Sequence, residues 1–262
     1  MSEYQDWLLT EGDRIATLTL NRPEAMNCFV PSTFHELRDI ATRLGANKGL
    51  CAVIVQGQGE HFSVGMDTGL IQAMVAEPEW VFRRHLFELQ LCFDAFEALE
   101  KPTIAKIRGS CLGAGLILAL CCDFRIASQH TVFSLPEVKL GVAVVMGTQR
   151  LARVVGIAAS KEMILLGERF SAPVAQSYGL LYGVVPPDQF DSAVDALAAK
   201  FRKLPTRTVG IAKRIIDKGY GQSIRDSQNL EMDAQAGLLG SHDVQEALAS
   251  YLEKRQPAFT GD

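Results

Sequence analysis

Hydrophobic and polar residues follow two periodicities in the first part of the chain. Residues Arg14–Leu20 alternate, as expected of a strand with one buried face, whereas Pro31–Leu44 places its apolar side chains on one helical face. The runs Cys51–Val55 and Thr103–Ile107 are short and rich in β-branched residues, and each ends close to glycine. They are predicted to be core strands that open into turns.

A continuous apolar stretch follows the second of these strands. Residues Leu112–Cys122 are apolar all round, which predicts a buried helix. Asp123 is expected to end it before a strand at Phe124–Ala127. This run is too short to span a bilayer, so no membrane association is expected.

The pattern changes after Pro186 and Pro187 to amphipathic helices. The predicted helices are Gln189–Lys203, Thr208–Lys218, Ile224–Leu239 and Val244–Glu253. We therefore expect a core of residues 1–200 and a helical segment of residues 201–262 that packs on the core or on a neighbouring subunit.

Composition narrows the possible partners. The 262 residues are 48% hydrophobic and 21% charged, with a net charge of -4, so no basic excess favours a nucleic acid partner. The polar, acidic start of the chain predicts a cytoplasmic protein. The six cysteines show neither CxxC spacing nor an accompanying histidine cluster, which indicates buried reduced thiols and no metal site.

Two stretches share one form: a strand, then small residues, then a helix. They are Ala52–Asp67 and Thr103–Gly115. The start of a helix has free backbone N–H groups, and glycine or alanine lets a ligand approach them. Two such turns facing each other could form an oxyanion hole, although glycine turns also serve chain reversal and close packing. Neither stretch matches a phosphate loop or a dinucleotide-binding motif.

The order of short motifs resembles that of the crotonase (enoyl-CoA hydratase/isomerase) superfamily, from about residue 4 to residue 258. The motifs are Leu18–Asn27, Phe62–Asp67, Lys101–Ala105, Gly113–Gly115, Cys122–Ala127, Phe133–Gly141 and Gly147–Leu151. The resemblance implies an α/β fold, a crotonase-like spiral of ββα units with a C-terminal helical segment. It also implies a homotrimer or hexamer, and an acyl-CoA substrate with no separate cofactor, since CoA is part of the substrate.

The resemblance also assigns binding residues. It implies that the backbone N–H groups of Met66 and Ala114 are the oxyanion donors. Gly113 would adjoin Ala114 in the substrate site. Asp67, Thr68 and Gly69 would line the CoA channel beside Met66.

The carboxylates are expected to decide the reaction. The resemblance places one family acid on Glu137 and the other on Ile117, which cannot transfer a proton, while the additional Asp of dienoyl-CoA isomerases falls on Val145. Ile117, Val142 and Val145 would make the acyl pocket dry and so raise the pKa of Glu137. One carboxylate suffices to move a proton between two carbons, which favours a Δ3,Δ2-enoyl-CoA isomerase-like reaction.

Three alternatives remain at this point. The first is a hydratase or hydratase-lyase that recruits a second group, such as Ser63, Thr68 or a tyrosine of the C-terminal helices. The second is an acyl thioester decarboxylase, and the third is a CoA-binding protein without catalysis. Arg83, Arg84 and His85 are interpreted as helix-surface residues.

Overall fold

The computed structural model describes residues 4–262, so that Met1–Glu3, part of the acidic start, lie outside it. Within those residues, strands and helices are interspersed up to the last strand, and four α-helices follow. The strands are β1 (Trp7–Gly12), β2 (Ile15–Leu20), β3 (Ala52–Gly57), β4 (Thr103–Ile107), β5 (Ser110–Leu112), β6 (Phe124–Ser128), β7 (Val132–Ser134), β8 (Phe170–Ser171) and β9 (Gly183–Val185). The helices are α1 (Pro31–Ala46), α2 (Thr68–Val75), α3 (Glu79–Glu97), α4 (Ala114–Leu120), α5 (Thr148–Leu166), α6 (Ala172–Ser177), α7 (Phe190–Phe201), α8 (Thr206–Gly219), α9 (Ile224–Ala236) and α10 (His242–Glu253). No helix in residues 4–262 is long and apolar enough to cross a membrane.

The larger sheet has six strands in the order β1-β2-β3-β4-β6-β9. Only the β1–β2 pair is antiparallel, and its hairpin turn has positive φ at both Asp13 and Arg14. Such a turn matches the twist of the two strands it joins. The predicted strand therefore begins at Ile15 rather than at Arg14.

A smaller sheet, β5-β7-β8, lies beside the larger one. β4 and β6 belong to the larger sheet, and each is followed by a short strand of the smaller sheet and then by a helix. The chain after β3 does the same in reduced form, because Ser63 forms a parallel bridge with Cys111 of β5. This repetition of strand, short strand and helix is the ββα arrangement implied by the family resemblance.

The buried helix starts later than its apolar pattern indicated. Leu112 pairs with Ser134 in the smaller sheet, and Gly113 has φ +48°, which interrupts the helical path. The helix thus begins at Ala114, and the prediction of a helix from Leu112 is wrong. An apolar run that is buried throughout cannot by periodicity alone mark where a strand gives way to a helix.

Both faces of the larger sheet are covered, as parallel strands require. On one face, Phe29, Phe34 and Phe93 pack in a cluster with ring centroids 5.0 to 5.9 Å apart. On the other face, α7 contributes a second cluster with Phe190 and Val194. This explains why the runs predicted as core strands are mostly apolar. All six cysteines are buried free thiols, as expected.

The four C-terminal helices are present, with ends shifted by a few residues from the predicted ones. α8 and α9 share a small cluster of Ile211, Ala234 and Leu238. α8 also lies against the core: the Nζ of Lys213 is 2.9 Å from the Oδ2 of Asp123. At Gly210, a β-carbon would overlap the carbonyl of Glu100, so only glycine permits this approach.

Candidate active site

The two predicted turns meet at Gly65 and Gly113. A β-carbon built on Gly65 would lie 3.0 Å from the carbonyl oxygen of Leu112 and 3.3 Å from the backbone nitrogen of Ala114. Both glycines have positive φ, +100° and +48°. Glycine is therefore needed here for its backbone conformation as well as for the close contact. The fold brings together the two stretches that the sequence separates by about 50 residues.

Hydrogen bonds fix the first turn. Phe29 N–H donates to the carbonyl of Gly65 (2.8 Å), and Asp67 N–H donates to the carbonyl of Phe29 (2.9 Å). Within residues 4–262, the N–H groups of Met66 and Ala114 donate no hydrogen bond. The N–H of Ala114 is free because this residue starts α4. Two unpaired donors thus flank the Gly65–Gly113 contact, which is the arrangement that an oxyanion hole requires.

Glu137 brings a carboxyl group to the same place. It lies in a 3₁₀ turn, Pro136–Leu140, that follows β7. Its Oε1 is 3.2 Å from the position that a β-carbon on Gly113 would take. Its Oε2 is buried and accepts no hydrogen bond from any described residue. Burial raises the pKa of this carboxyl above its ordinary value, since removal from water disfavours the charged form.

The remaining residues predicted for the CoA channel directly follow Met66 at the start of α2. Asp67 caps α2 and accepts a hydrogen bond from the N–H of Leu70 at 3.1 Å. Thr68 and Gly69 are the exposed first residues of that helix. The carboxylate of Asp67 is thus engaged by the helix start, while its two neighbours present an open surface beside Met66.

Known proteins share the sequence pattern and the fold of this chain over nearly its whole length. A sequence model described as "Enoyl-CoA hydratase/isomerase" matches residues 10–262. Crotonyl-CoA hydratase of Syntrophomonas wolfei is 32% identical over 98% of both chains, and short-chain-enoyl-CoA hydratase of Clostridium acetobutylicum is 30% identical over 97% of both. The crystal structure of enoyl-CoA hydratase from Bacillus anthracis superposes with a TM-score of 0.91 at 30% identity, covering 98% of this chain and 100% of that one. This chain belongs to the enoyl-CoA hydratase/isomerase family, in the crotonase superfamily.

The family resemblance assigns a second acid to the position of Ile117, and this position is apolar. Ile117, Val144 and Gly147 lie together there and form an apolar wall. Ile117 is 3% exposed, and a β-carbon on Gly147 would lie 2.8 Å from its Cγ1. Val142 is half-buried, whereas Val145 is 43% exposed. The buried valine beside Gly147 is Val144 instead. Of the three residues predicted to line a dry pocket, only Ile117 is therefore buried within the single chain.

Arg150 supports this wall and was not singled out from the sequence. Its guanidinium pairs with Asp94 (2.5 Å) and Glu97 (2.7 Å) of α3 and donates to the carbonyl of Met146 at 2.6 Å. It thereby ties the loop before α5 to α3. Arg150 lies within the family motif Gly147–Leu151. Its partners are about 55 residues away in the sequence, so only the fold reveals them.

Other residues considered earlier take structural or surface positions. Arg83 is exposed and Arg84 pairs with Glu88 at 3.3 Å, as expected of a helix surface. His85 Nδ1 lies 2.9 Å from Glu77 Oε2 at the start of the same helix. Ser63 is fully buried, and its Oγ accepts a hydrogen bond from the N–H of Gly65 at 3.1 Å. Tyr220 and Tyr251 of the C-terminal helices are 60% and 83% exposed.

Proposed function

We propose that this protein binds an acyl-CoA thioester, with the thioester carbonyl oxygen accepting from the N–H groups of Met66 and Ala114. Glu137 then moves a proton at the adjacent carbons. The observation that carries this proposal is the unpaired, buried carboxyl oxygen of Glu137 beside two adjoining turns, each with a free N–H donor. Buried polar atoms are nearly always paired, so one left unpaired beside open donors indicates a place for a reacting group.

The chemistry follows from where charge develops. When Glu137 takes the α-proton, the C–H electron pair moves toward the carbonyl, and the oxygen gains negative charge as an enolate forms. The two N–H groups stabilise that charge without having to reorganise. Because burial raises the pKa of Glu137, the acid keeps the proton between steps and can return it.

A single carboxylate favours isomerisation. In a β,γ-unsaturated thioester, loss of the α-proton gives a dienolate, and return of the same proton to the γ-carbon gives the conjugated α,β isomer. Hydration needs in addition a water that is held and activated, a task that a second acid would share. The family resemblance assigns Ile117 to the position of that acid, and this apolar side chain packs against Gly147. We therefore favour a Δ3,Δ2-enoyl-CoA isomerase-like reaction.

Hydration is the second candidate, because the names of the relatives favour it. The Syntrophomonas wolfei relative is named a crotonyl-CoA hydratase and the Clostridium acetobutylicum one a short-chain-enoyl-CoA hydratase. A hydratase of this architecture would have to activate water with Glu137 alone, or with a group recruited to the exposed side of the site such as Thr68.

One assay separates these two candidates. The wild-type protein is given 3-hexenoyl-CoA and crotonyl-CoA in parallel, and products are followed by mass spectrometry with chromatographic resolution of isomers. We expect isobaric conversion of 3-hexenoyl-CoA to be faster than the gain of water by crotonyl-CoA. Faster hydration would reverse the assignment.

Ile117→Glu sharpens the same assay, with Ile117→Gln as the matched control. The glutamate supplies a second carboxyl group and should raise hydration relative to isomerisation. The glutamine is equally polar, but its amide cannot act as an acid or a base. Burying an uncompensated carboxyl costs several kcal/mol, so circular dichroism must show both variants folded. Equal product ratios in the two variants would contradict a role for a second acid.

We also infer that residues 201–262 serve assembly into a trimer or a dimer of trimers. The C-terminal helices expose large apolar side chains with no partner in the described chain: Ile216, Ile224, Met232, Leu248 and Leu252. Closed symmetric assemblies are the usual way to cover such a surface. Light scattering at micromolar concentration should give three or six times the chain mass, and a monomer would refute the inference. A cytoplasmic location stays a prediction of the sequence.

A further inference from the structure

Ser63 lies between the two turns that carry the proposed oxyanion donors, the first at Gly65–Met66 and the second at Gly113–Ala114. Its N–H donates to the carbonyl of Ser110 (3.1 Å), and its carbonyl accepts from the N–H of Leu112 (2.9 Å), so its backbone joins the first turn to β5. Its side chain is fully buried. Its Oγ accepts a hydrogen bond from the N–H of Gly65 at 3.1 Å.

The side chain also contacts the second turn. A β-carbon on Gly115, in the first turn of α4, would lie 2.6 Å from the Cβ and 2.9 Å from the Oγ of Ser63. The start of α4 therefore packs directly on this serine, and no larger side chain fits without separating the two turns. The size of Ser63 sets how closely the two donors approach.

Hydrogen bonds to the two peptide units that flank Gly65 bear on the direction of the Met66 donor. In a trans peptide the carbonyl and the N–H point in opposite directions. The carbonyl of Gly65 is held by the N–H of Phe29, so the N–H of Met66 in the same peptide unit faces away from Phe29. The hydroxyl of Ser63 holds the other peptide unit of Gly65. Both peptide units that flank Gly65 are thus fixed, although φ +100° at this residue is a conformation that only glycine adopts readily.

We propose that Ser63 is a positioning residue of the oxyanion hole, which aims the Met66 N–H through Gly65 and sets its distance from the Ala114 N–H through Gly115. This rests on the proposed function. Ser63 does not touch the substrate, so its loss acts on the transition state through the donors and leaves ground-state binding of CoA largely unchanged.

The test compares Ser63→Ala with Ser160→Ala. Ser160 is a buried serine of α5, 6% exposed, whose Oγ donates to the carbonyl of Gly156 at 2.7 Å, so both variants lose one buried hydroxyl hydrogen bond. The first readout is kcat and KM with the substrate that the wild type turns over. The second is the absorption of bound cinnamoyl-CoA, a conjugated thioester that absorbs at longer wavelength when its carbonyl is polarised. Thermal melts of both variants measure stability.

We expect Ser63→Ala to lower kcat about tenfold, the loss typical of one hydrogen bond, with KM within about twofold of wild type. The red shift of bound cinnamoyl-CoA should shrink in the same variant. Ser160→Ala should melt at a similar temperature and keep the wild-type kcat and red shift.

Two results overturn the proposal in distinguishable ways. If the wild type polarises cinnamoyl-CoA and turns substrate over but Ser63→Ala does so equally, Ser63 has no positioning role and the proposed function stands. If the wild type neither shifts the absorption of cinnamoyl-CoA nor converts any enoyl-CoA, the proposed function fails and this inference fails with it.

Discussion

Asp123 and Glu137 lie near the same buried helix, one just after its end and the other beside its start, with opposite surroundings. The Oδ2 of Asp123 accepts hydrogen bonds from the backbone N–H of Thr103 (2.7 Å), its hydroxyl (2.9 Å) and the Nζ of Lys213 (2.9 Å). The Oε2 of Glu137 is buried and accepts none from the described residues. One carboxylate joins α8 to the sheet, and the other has a buried oxygen without a hydrogen-bond partner.

This contrast separates a structural use of charge from a chemical one. A paired buried carboxylate holds elements together, and removing its partner is costly. An unpaired one lowers stability, because it loses its hydration without replacement. Retaining such a group beside two free N–H donors is consistent with a site that is completed by its ligand.

The largest effect on stability is expected from Asp123→Ala. The substitution leaves the ammonium of Lys213, which is 9% exposed, without its carboxylate, and the N–H of Thr103 without an acceptor. Breaking a fully buried pair in this way costs about 3–5 kcal/mol, and the loss here should approach the lower end because the Asp123 side chain is 23% exposed. Urea denaturation should show this loss, while activity per folded molecule is retained.

Asp191→Ala provides the matched control for that loss. Asp191 pairs with Lys106 at 2.6 Å, but its side chain is 77% exposed. Screening by water limits such a pair to about 1 kcal/mol or less. Equal destabilisation by the two alanine variants would mean that Asp123 is not the structural link described here.

The next effect concerns turnover. Ala114→Pro deletes one oxyanion N–H at the first position of α4, where proline is tolerated by a helix. Loss of such a donor lowers kcat by about two to three orders of magnitude, or roughly 3–4 kcal/mol. Ala114→Ser keeps the N–H and should stay close to wild type. A folded proline variant with full activity would remove Ala114 from the site.

The smallest effect is a gain in stability by Glu137→Gln. Burial raises the pKa of Glu137 in the folded protein, so the folded state binds this proton more tightly than the unfolded state does. Below the ordinary pKa both states are protonated, and no stability is lost. As the pH rises through the raised pKa, the wild type loses stability that the Gln variant keeps.

The gain should be present at neutral pH, and it should vanish below the ordinary pKa of a glutamate, where both states of the wild type carry the proton. Thermal melts of both proteins at several pH values measure it. A wild type that is the more stable of the two at pH 7 would show that Glu137 has a stabilising partner after all.

Much of the fold was predictable from patterns. Strand alternation at Ile15–Leu20 and the helical face of Pro31–Leu44 follow from local periodicity, and the motif order led to the family. The turns of Met66 and Ala114 were also identified, because helix starts after small residues have a local signature. Their meeting at Gly65 and Gly113 agrees with the expectation that two such turns face each other.

What the sequence did not reveal depends on contacts between distant segments. Arg150 finds Asp94 and Glu97 only after α3 and α5 have packed. The packing of Ile117 on Gly147, and of Ser63 on Gly115, is likewise invisible to periodicity. The helix start at Leu112 was misjudged for a related reason, since its pairing with Ser134 is a tertiary contact.

In the proposed reaction, Glu137 removes an α-proton from a thioester held by Met66 and Ala114. Exchange of that proton tests the claim without assuming a product. Wild type and Glu137→Gln are incubated with butyryl-CoA in D₂O, and deuterium at the α-carbon is followed by NMR. We expect the wild type to exchange the α-proton for deuterium. The Glu137→Gln variant should still bind butyryl-CoA but should not exchange this proton. Equal exchange by both proteins, or none by the wild type, would contradict it.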